Sequence, residues 1–151
     1  MTHFTVVLPD QIKPFTDLML VALTVYREAS GESIDGRRAI AWVIRNRVDH
    51  PGWYGRDWCE VVTKKAQFTS INPPGGLNDP NLRRYPAPEE PAWRECVQAV
   101  FDVMAGNVPD PTGGATFYYD RSLDHHPPKW AAIYVHTADS GRFHFYKPKM
   151  A

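Results

Sequence analysis

The chain has 151 residues, which is enough for one domain with a single substantial hydrophobic core. Its hydrophobic fraction of 43% and charged fraction of 23% are typical of a soluble globular protein. The 17 basic and 17 acidic residues cancel, which argues against nucleic acid as a binding partner. No apolar run is long enough to span a bilayer, which argues against stable membrane insertion. We expect a monomer.

The N-terminus and the two cysteines indicate the compartment. Residues 1–10 have neither the basic segment nor the apolar segment of a secretory signal, so we expect synthesis in the cytoplasm unless a leader has been removed. Cys59 and Cys96 would pair only if the fold brought their Cα atoms within about 7 Å. Two buried free thiols are therefore the expectation.

The N-terminal part of the chain predicts an arm followed by a helix. Residues 1–14 read as an extended arm, and residues 15–151 as one domain. The first helix is predicted over about 16–29, where apolar residues recur at helical spacing. Thr16 or Asp17 can cap it by accepting a hydrogen bond from a free backbone N–H group.

A second helix is predicted after a break at Gly31. Ser33 or Asp35 can cap it, and it reaches about Val48. Both helices are hydrophobic over a broad arc, so we expect them to pack as a pair. The apolar set of the second helix is Ile40, Val43, Ile44 and Val48.

The rest of the chain predicts a short helix around Trp58 to Lys65, a third long helix and several short strands. Residues 73–91 are irregular and rich in Pro, Asn and Arg, which is typical of a long functional or mobile loop. A third helix has its apolar face at Trp93, Val97, Val100, Phe101 and Met104. Strands are predicted at 117–119, 133–135 and 143–146. The fold class is therefore α+β, a mainly helical body with a small antiparallel sheet or hairpins in the C-terminal third.

The end of the first helix carries two glutamates four residues apart. Glu28 lies about 20° beyond Val21 at the flank of the apolar face, where a carboxylate is partly desolvated and can open into a cleft. Desolvation and the neighbouring charge of Glu32 would favour a raised pKa and acid chemistry. The alternative is a solvated helix end with two ordinary surface glutamates.

Metal and nucleophile chemistry have little support in the sequence. The six histidines include no His-Glu-x-x-His and no helical pair four apart, and they form no cluster with the cysteines at ligand spacing. The chain also lacks a Gly-x-Ser-x-Gly elbow and a phosphate-binding glycine loop. We therefore expect no metal and no cofactor.

Five segments in a fixed order carry a family resemblance. They are residues 26–32 (Tyr-Arg-Glu-Ala-Ser-Gly-Glu), 39–48 (Ala-Ile-Ala-Trp-Val-Ile-Arg-Asn-Arg-Val), 67–69 (Gln-Phe-Thr), 110–115 (Asp-Pro-Thr-Gly-Gly-Ala) with the following Tyr118-Tyr119, and 141–146 (Gly-Arg-Phe-His-Phe-Tyr). In this order they resemble the SleB-type cell wall hydrolases, the spore cortex-lytic family. The resemblance covers about residues 18–147.

The resemblance implies a lysozyme-like catalytic domain that cleaves peptidoglycan glycan strands between N-acetylmuramic acid and N-acetylglucosamine. Members are regarded as lytic transglycosylases whose first motif glutamate is the catalytic acid, and that residue is Glu28 here. Glu32 is either a second active-site group or a cap at the helix junction. The chain departs from the pattern at Arg27, where members often have Gly, and at Thr69, where they have Ser; we expect Arg27 to point outward. Asp110 is a distant candidate for a second acid, but its neighbours predict a turn.

Several other residues are candidates for substrate binding. Gln67, Thr69 and Tyr118 could donate or accept hydrogen bonds, and Phe68 either forms the cleft wall or packs in the core. Trp130 is a candidate for sugar stacking, and His144 either reaches the cleft or hydrogen-bonds within the sheet. Since side chains alternate along a strand, only one of the tyrosines 118 and 119 is expected to face the cleft. Tyr26, within the first motif, completes the set.

Other functions remain as alternatives. One is muramidase hydrolysis with a second carboxylate, as in lysozyme. Another is a wall-binding module without catalysis, which would not need zinc. A third is an N-acetylmuramoyl-L-alanine amidase or a zinc peptidase acting on the stem peptide. The absence of appended wall-binding repeats and of a signal peptide suits a phage or prophage endolysin that another protein releases to the wall.

Overall fold

The computed structural model describes residues 9–29, 31–64, 67–68, 71–73 and 80–149. Its helices are α1 (Pro9–Ala29), α2 (Ile34–Val48), α3 (Trp58–Thr63) and α4 (Pro91–Met104), and its strands are β1 (Phe117–Asp120), β2 (Val135–Ser140) and β3 (Phe143–Lys147). Short 3₁₀ turns occupy Pro80–Arg83, Arg121–Leu123 and Lys129–Ala132. The α+β prediction, a helical body with a small C-terminal antiparallel sheet, is confirmed.

Helix α1 begins earlier than the sequence pattern predicts. Residues 9–14 are helical rather than part of an extended arm, while residues 1–8 lie outside the described residues. Pro14 lies inside the helix and has no N–H, so one helical hydrogen bond is missing. The carbonyl left without that donor belongs to Asp10, which is exposed. Thr16 is no N-cap, because its hydroxyl donates to the carbonyl of Lys13 at 3.0 Å.

The core lies where α1, α2 and α4 pack together. Ser33 caps α2 by accepting from the Gly36 N–H, as the sequence predicts. On α4 the buried set is shifted by about one residue from the predicted face, and Phe101 is 50% exposed. Helix α4 packs against both α1 and α2, so it buries residues on two sides, and this accounts for the shift. The buried residues of α4 are Cys96, Ala99, Val100 and Val103.

The three strands form one antiparallel sheet in the order β1-β3-β2, so β1 is an edge strand. Phe143 and Phe145 are buried and face the helices, which leaves His144 on the outer face, as the sequence predicts. Strand β2 begins at Val135, two residues later than predicted, because the segment before it forms the turn Lys129–Ala132.

The loop before β1 is tied to α2. Asp110 accepts hydrogen bonds from the Thr112 N–H at 2.7 Å and the Gly114 N–H at 3.0 Å, which makes it the predicted turn former. The Asn46 amide donates to Asp110 at 2.9 Å and to the carbonyl of Ala115 at 3.0 Å. These bonds hold the start of β1 against α2.

Two remaining expectations concern the thiols and the membrane. Both cysteines are free; Cys96 is buried, but Cys59 is exposed, so the prediction of two buried thiols is wrong for Cys59. Burial raises the pKa of the Cys96 thiol to about 11. Within the described residues, no helix has the length and apolar character needed to cross a membrane.

Candidate active site

Glu28 lies in the last turn of α1 and opens into a cleft of about 580 Å³ between the helical body and the edge strand β1. The described residues that line the cleft are Glu28, Arg47, Trp53, Gln67, Phe117, Tyr118, Tyr119, Leu123, Pro128 and Trp130. Glu28 is partly buried, as its place on the α1 wheel predicts. Among these described lining residues it is the one carboxylate.

Tyr118 is the hydroxyl donor to Glu28. Its side chain lies on the inner face of β1, and its hydroxyl donates a hydrogen bond to the Glu28 carboxylate. Burial, followed by the nearby negative charge of Glu28, holds the pKa of Tyr118 well above its usual value. Tyr118 therefore stays protonated over the working pH range and orients the carboxylate.

Arg47 is the buried cation of the site. Burial lowers the pKa of its guanidinium, and the nearby carboxylate of Glu28 is among the groups that oppose that effect. Its Nε donates to the carbonyl of Thr116 at 2.7 Å. Its guanidinium carbon also lies over three aromatic rings, at 5.2 Å from the ring centre of Tyr54, 5.1 Å from Phe68 and 5.3 Å from Phe117.

Aromatic rings line much of the cleft. Trp130 stacks on Tyr134 with ring centres 5.7 Å apart and meets Phe117 at 5.1 Å, so its orientation is set by its neighbours. Trp53 is 60% exposed, and the ammonium of Lys64 lies 3.9 Å from its ring centre. Aromatic rings that line a cleft in this way are suited to stacking on sugar rings.

The structure brings some of the predicted substrate residues to the cleft and places others elsewhere. Gln67, Tyr118 and Trp130 line it. Phe68 is 1% exposed and packs in the core, its other predicted place. Thr69 lies outside the described residues.

Two further candidates make their hydrogen bonds outside the cleft. The Tyr26 hydroxyl donates to Glu90 Oε2 at 2.8 Å, and its ring packs edge-on against Trp93. The His144 ring hydrogen-bonds to Asp139 within the sheet, the second of its two predicted positions, and to Asp124 just after the Arg121–Leu123 turn. Neither Tyr26 nor His144 is among the described residues that line the cleft.

Two expectations about orientation are wrong. Arg27 is buried rather than outward-pointing, because its guanidinium donates to the carbonyls of Arg84 at 2.9 Å and Leu82 at 3.1 Å. Tyr118 and Tyr119 both line the cleft although they lie on opposite faces of β1. This is because β1 is the edge of the sheet and the cleft extends around it.

Glu32 belongs to the helix junction. Its side chain is 12% exposed and pairs with Arg142, with Nε and Oε1 3.5 Å apart. Arg142 also donates to the carbonyl of Glu28 at 2.9 Å and pairs with Asp120 at 2.9 Å. One guanidinium thus joins the end of α1, the α1–α2 junction and the end of β1.

We expect Gly141→Ala to destabilise the protein by about 1–3 kcal/mol. Gly141 has φ of +55°, and an added Cβ would overlap the Glu32 carboxylate. Gly114→Ala is the matched control, because Gly114 has φ of +83° and open space around its Cβ position. Urea unfolding should show the larger loss for Gly141→Ala, and equal losses would show that Glu32 does not pack at this junction.

Arg47 and Trp53 are cleft residues that the sequence pattern did not predict, and Tyr119 was expected there only in place of Tyr118. A signal for Arg47 existed: it follows Val43 by four residues and Ile44 by three, and so lies on the buried face of α2. A charged residue on such a face needs partners, which is a reason to suspect a site. For Trp53, in a loop of Pro and Gly, the sequence carried no such signal.

A helical body with a small sheet, and one glutamate at a helix end in an aromatic cleft, define a glycosidase-like site. The profile described as "Cell Wall Hydrolase" matches residues 31–146, and the chain belongs to this family. The match begins just after Glu28. The predicted family is confirmed.

Individual relatives agree with this assignment. The spore cortex-lytic enzyme of Halalkalibacterium halodurans is 35% identical over 104 residues, which is 69% of this chain and 27% of that protein. This chain therefore corresponds to about a quarter of the length of that relative.

Two solved structures share the fold. The catalytic domain of the Bacillus cereus SleB protein aligns with a TM-score of 0.67 and 28% identity, over 88% of this chain and 91% of that one. The catalytic domain of the germination-specific lytic transglycosylase SleB from Bacillus anthracis aligns with a TM-score of 0.65 and 27% identity, over 87% of this chain and 93% of that one. The fold is that of a SleB catalytic domain.

Proposed function

We propose that this protein is a lytic transglycosylase that cleaves peptidoglycan glycan strands between N-acetylmuramic acid and N-acetylglucosamine, with Glu28 as its one catalytic acid and base. The observation that carries the proposal is the position of Glu28, the one carboxylate among the described residues lining the cleft. Membership of the cell wall hydrolase family and the similarity to SleB catalytic domains support the substrate class. The bacterial cell wall is then its place of action.

The proposed reaction needs one group that gives and then takes a proton. Protonated Glu28 donates to the glycosidic oxygen while the bond from that oxygen to C1 of the muramic acid breaks. The 6-hydroxyl of the same muramic acid attacks C1, and its proton passes to the Glu28 carboxylate. The products are a 1,6-anhydromuramic end and a free 4-hydroxyl on N-acetylglucosamine. No water is consumed, and Glu28 ends protonated as it began.

The surroundings of Glu28 suit both halves of this cycle. When a glycan fills the cleft and expels water, the aromatic walls favour the neutral acid that donates. The Tyr118 hydroxyl and the Arg47 guanidinium then stabilise the carboxylate that forms. Trp130 and Trp53 offer ring surface for sugar residues in the cleft.

Two-carboxylate hydrolysis fits the cleft less well. Retention needs a second carboxylate about 5–5.5 Å from the first, and inversion one about 6.5–9.5 Å away. Glu32, the nearest in sequence, is held by Arg142 at the junction, and Asp110 accepts the hydrogen bonds of its own turn. Neither is among the described lining residues.

Product analysis tests the proposal. Digests of purified peptidoglycan, examined by mass spectrometry, should contain 1,6-anhydromuropeptides, each lighter by one water than the hydrolytic product. The products should be the same after treatment with a chelator, because no step uses a metal.

Each other result identifies one of the alternatives. Reducing muramic ends would indicate lysozyme-type hydrolysis, and reducing N-acetylglucosamine ends would indicate the other glycosidic bond. Free stem peptides, lost on chelation, would indicate a zinc amidase. Binding without soluble products would indicate a wall-binding module.

A further inference from the structure

The β2–β3 hairpin brings two histidines and an aspartate together on the outer face of the sheet. Asp139 is directly opposite His144 in the register, and an irregularity just after His136 lets its side chain join them. One ligand atom from each residue lies within 4.8 Å of the others. The three residues come from two strands, so no sequence spacing reveals the cluster.

Two imidazole nitrogens converge on one carboxylate oxygen. Nε2 of His136 lies 2.7 Å from Oδ1 of Asp139, and Nδ1 of His144 lies 2.5 Å from the same atom. The other nitrogen of His144, Nε2, lies 3.0 Å from Oδ1 of Asp124. A carboxylate only accepts, so a ring nitrogen that hydrogen-bonds to one of these oxygens donates its N–H.

A metal ion could take the place of the hydrogens in these contacts. With the N–H of His144 kept on Nε2 toward Asp124, the lone pair of its Nδ1 can bind a cation beside the Asp139 oxygen. The contact with Asp124 matches the outer carboxylate that commonly orients a metal-binding histidine and sets its tautomer.

We propose that His136, Asp139 and His144 bind one zinc ion, with Asp124 orienting His144 from outside. Two imidazole nitrogens and one carboxylate oxygen form a donor set that zinc accepts, with a water as fourth ligand. Calcium and magnesium prefer oxygen ligands throughout, so they fit this set less well.

The geometry is close to what the ion needs. Tetrahedral bonds of about 2.0–2.1 Å place ligand atoms about 3.3 Å apart. The two contacts to Asp139 are shorter, at 2.7 and 2.5 Å, so each histidine nitrogen must move away from the carboxylate oxygen by less than about 1 Å. All three side chains are at least partly exposed, with 46% for His136, 41% for Asp139 and 19% for His144, so they have room to move.

The ion would brace one rim of the cleft. The His144 ring lies 5.1 Å from the ring of Tyr119, and Asp124 follows Leu123, and both Tyr119 and Leu123 line the cleft. Zinc would thus join the hairpin to the 121–124 segment. It would lie on the face of the sheet opposite the Tyr118 side chain, so its role is structural and does not depend on the function proposed for Glu28.

Zinc titration tests the site. The purified chain, stripped with a chelator and dialysed, should bind one zinc per chain in isothermal titration calorimetry, and magnesium should give no comparable signal. Asp124→Asn should weaken the affinity about 10–100-fold, as the loss of an outer carboxylate does. His136→Ala should weaken it by at least as much.

His125→Ala and His126→Ala are the matched controls, because both residues are exposed histidines near Asp124 and lie outside the cluster. They should leave zinc affinity unchanged. An affinity unaffected by His136→Ala, or lowered equally by the controls, would overturn the proposal.

A measurement on the unmodified chain removes any dependence on the folding of the variants. Anomalous diffraction at the zinc absorption edge should show one peak between His136 and His144. A peak elsewhere, or no bound zinc at millimolar concentration, would overturn the site. Binding should also raise the unfolding temperature in proportion to the logarithm of zinc concentration above the dissociation constant.

Discussion

Glu28→Gln is expected to lower the rate of glycan cleavage by about 10²–10⁴-fold, the usual contribution of a positioned proton donor. The amide keeps the shape of the side chain and can still accept the hydrogen bond of Tyr118 through its carbonyl oxygen. It cannot donate a proton to the glycosidic oxygen or take one from the 6-hydroxyl. The loss should therefore appear in kcat, with binding to peptidoglycan retained. Turbidity loss of a peptidoglycan suspension measures the rate, and co-sedimentation measures binding.

Glu89→Gln and Glu32→Gln complete this experiment. Glu89 is exposed and serves as the control for the substitution itself, with no change in rate expected. Glu32→Gln should cost far less rate than Glu28→Gln, because Glu32 acts at the helix junction through Arg142. Equal losses of kcat for Glu28→Gln and Glu32→Gln, with both variants folded, would contradict the single-acid mechanism.

Arg47→Met is expected to give the largest loss of stability, about 3 kcal/mol. Methionine replaces the stem of the side chain but leaves the carbonyl of Thr116 without its donor, at a cost of about 1–3 kcal/mol. The contacts with the rings of Tyr54, Phe68 and Phe117 add about 0.5–2 kcal/mol. For a chain of this length the midpoint of thermal unfolding should fall by about 6–12 °C.

Arg94→Met is the matched control for Arg47→Met. Arg94 lies on the exposed face of α4, and arginine and methionine have similar helix propensities, so the midpoint should stay nearly unchanged. Arg47→Lys should give an intermediate loss, since a lysine keeps the charge without the planar guanidinium. An Arg47→Met variant as stable as Arg94→Met would show that the buried guanidinium is not a structural element of this fold.

The sequence determined most of the helical body. The repeat of apolar residues predicts α2 with its Ser33 cap, and the last turn of α1 with Glu28 at the flank of its face. These features depend on contacts between residues close in sequence, which local patterns report directly. The start of α1 was missed because Pro14 reads as a helix breaker, although near an exposed helix end it costs little.

The family resemblance depends on short segments in a fixed order. Only the tertiary structure shows which of their residues meet in the cleft and which pack elsewhere. It places Gln67 and Trp130 in the cleft with Glu28, buries Phe68 in the core and assigns Glu32 to Arg142. Such outcomes depend on side chains far apart in sequence, and each of these residue types is common in both core and cleft.

The sheet shows most clearly which features the sequence determines and which only the tertiary structure decides. Alternation along β3 predicted that His144 faces away from Phe143 and Phe145, because side chains on a strand point to opposite faces. The partner of His144 depended instead on which strand lies beside it and in which register. Pairing with β2 brings Asp139 and His136 to His144, while the edge position of β1 brings both Tyr118 and Tyr119 to the cleft. A strand's own sequence determines its faces, but its neighbours and register are decided by the packing of the whole chain.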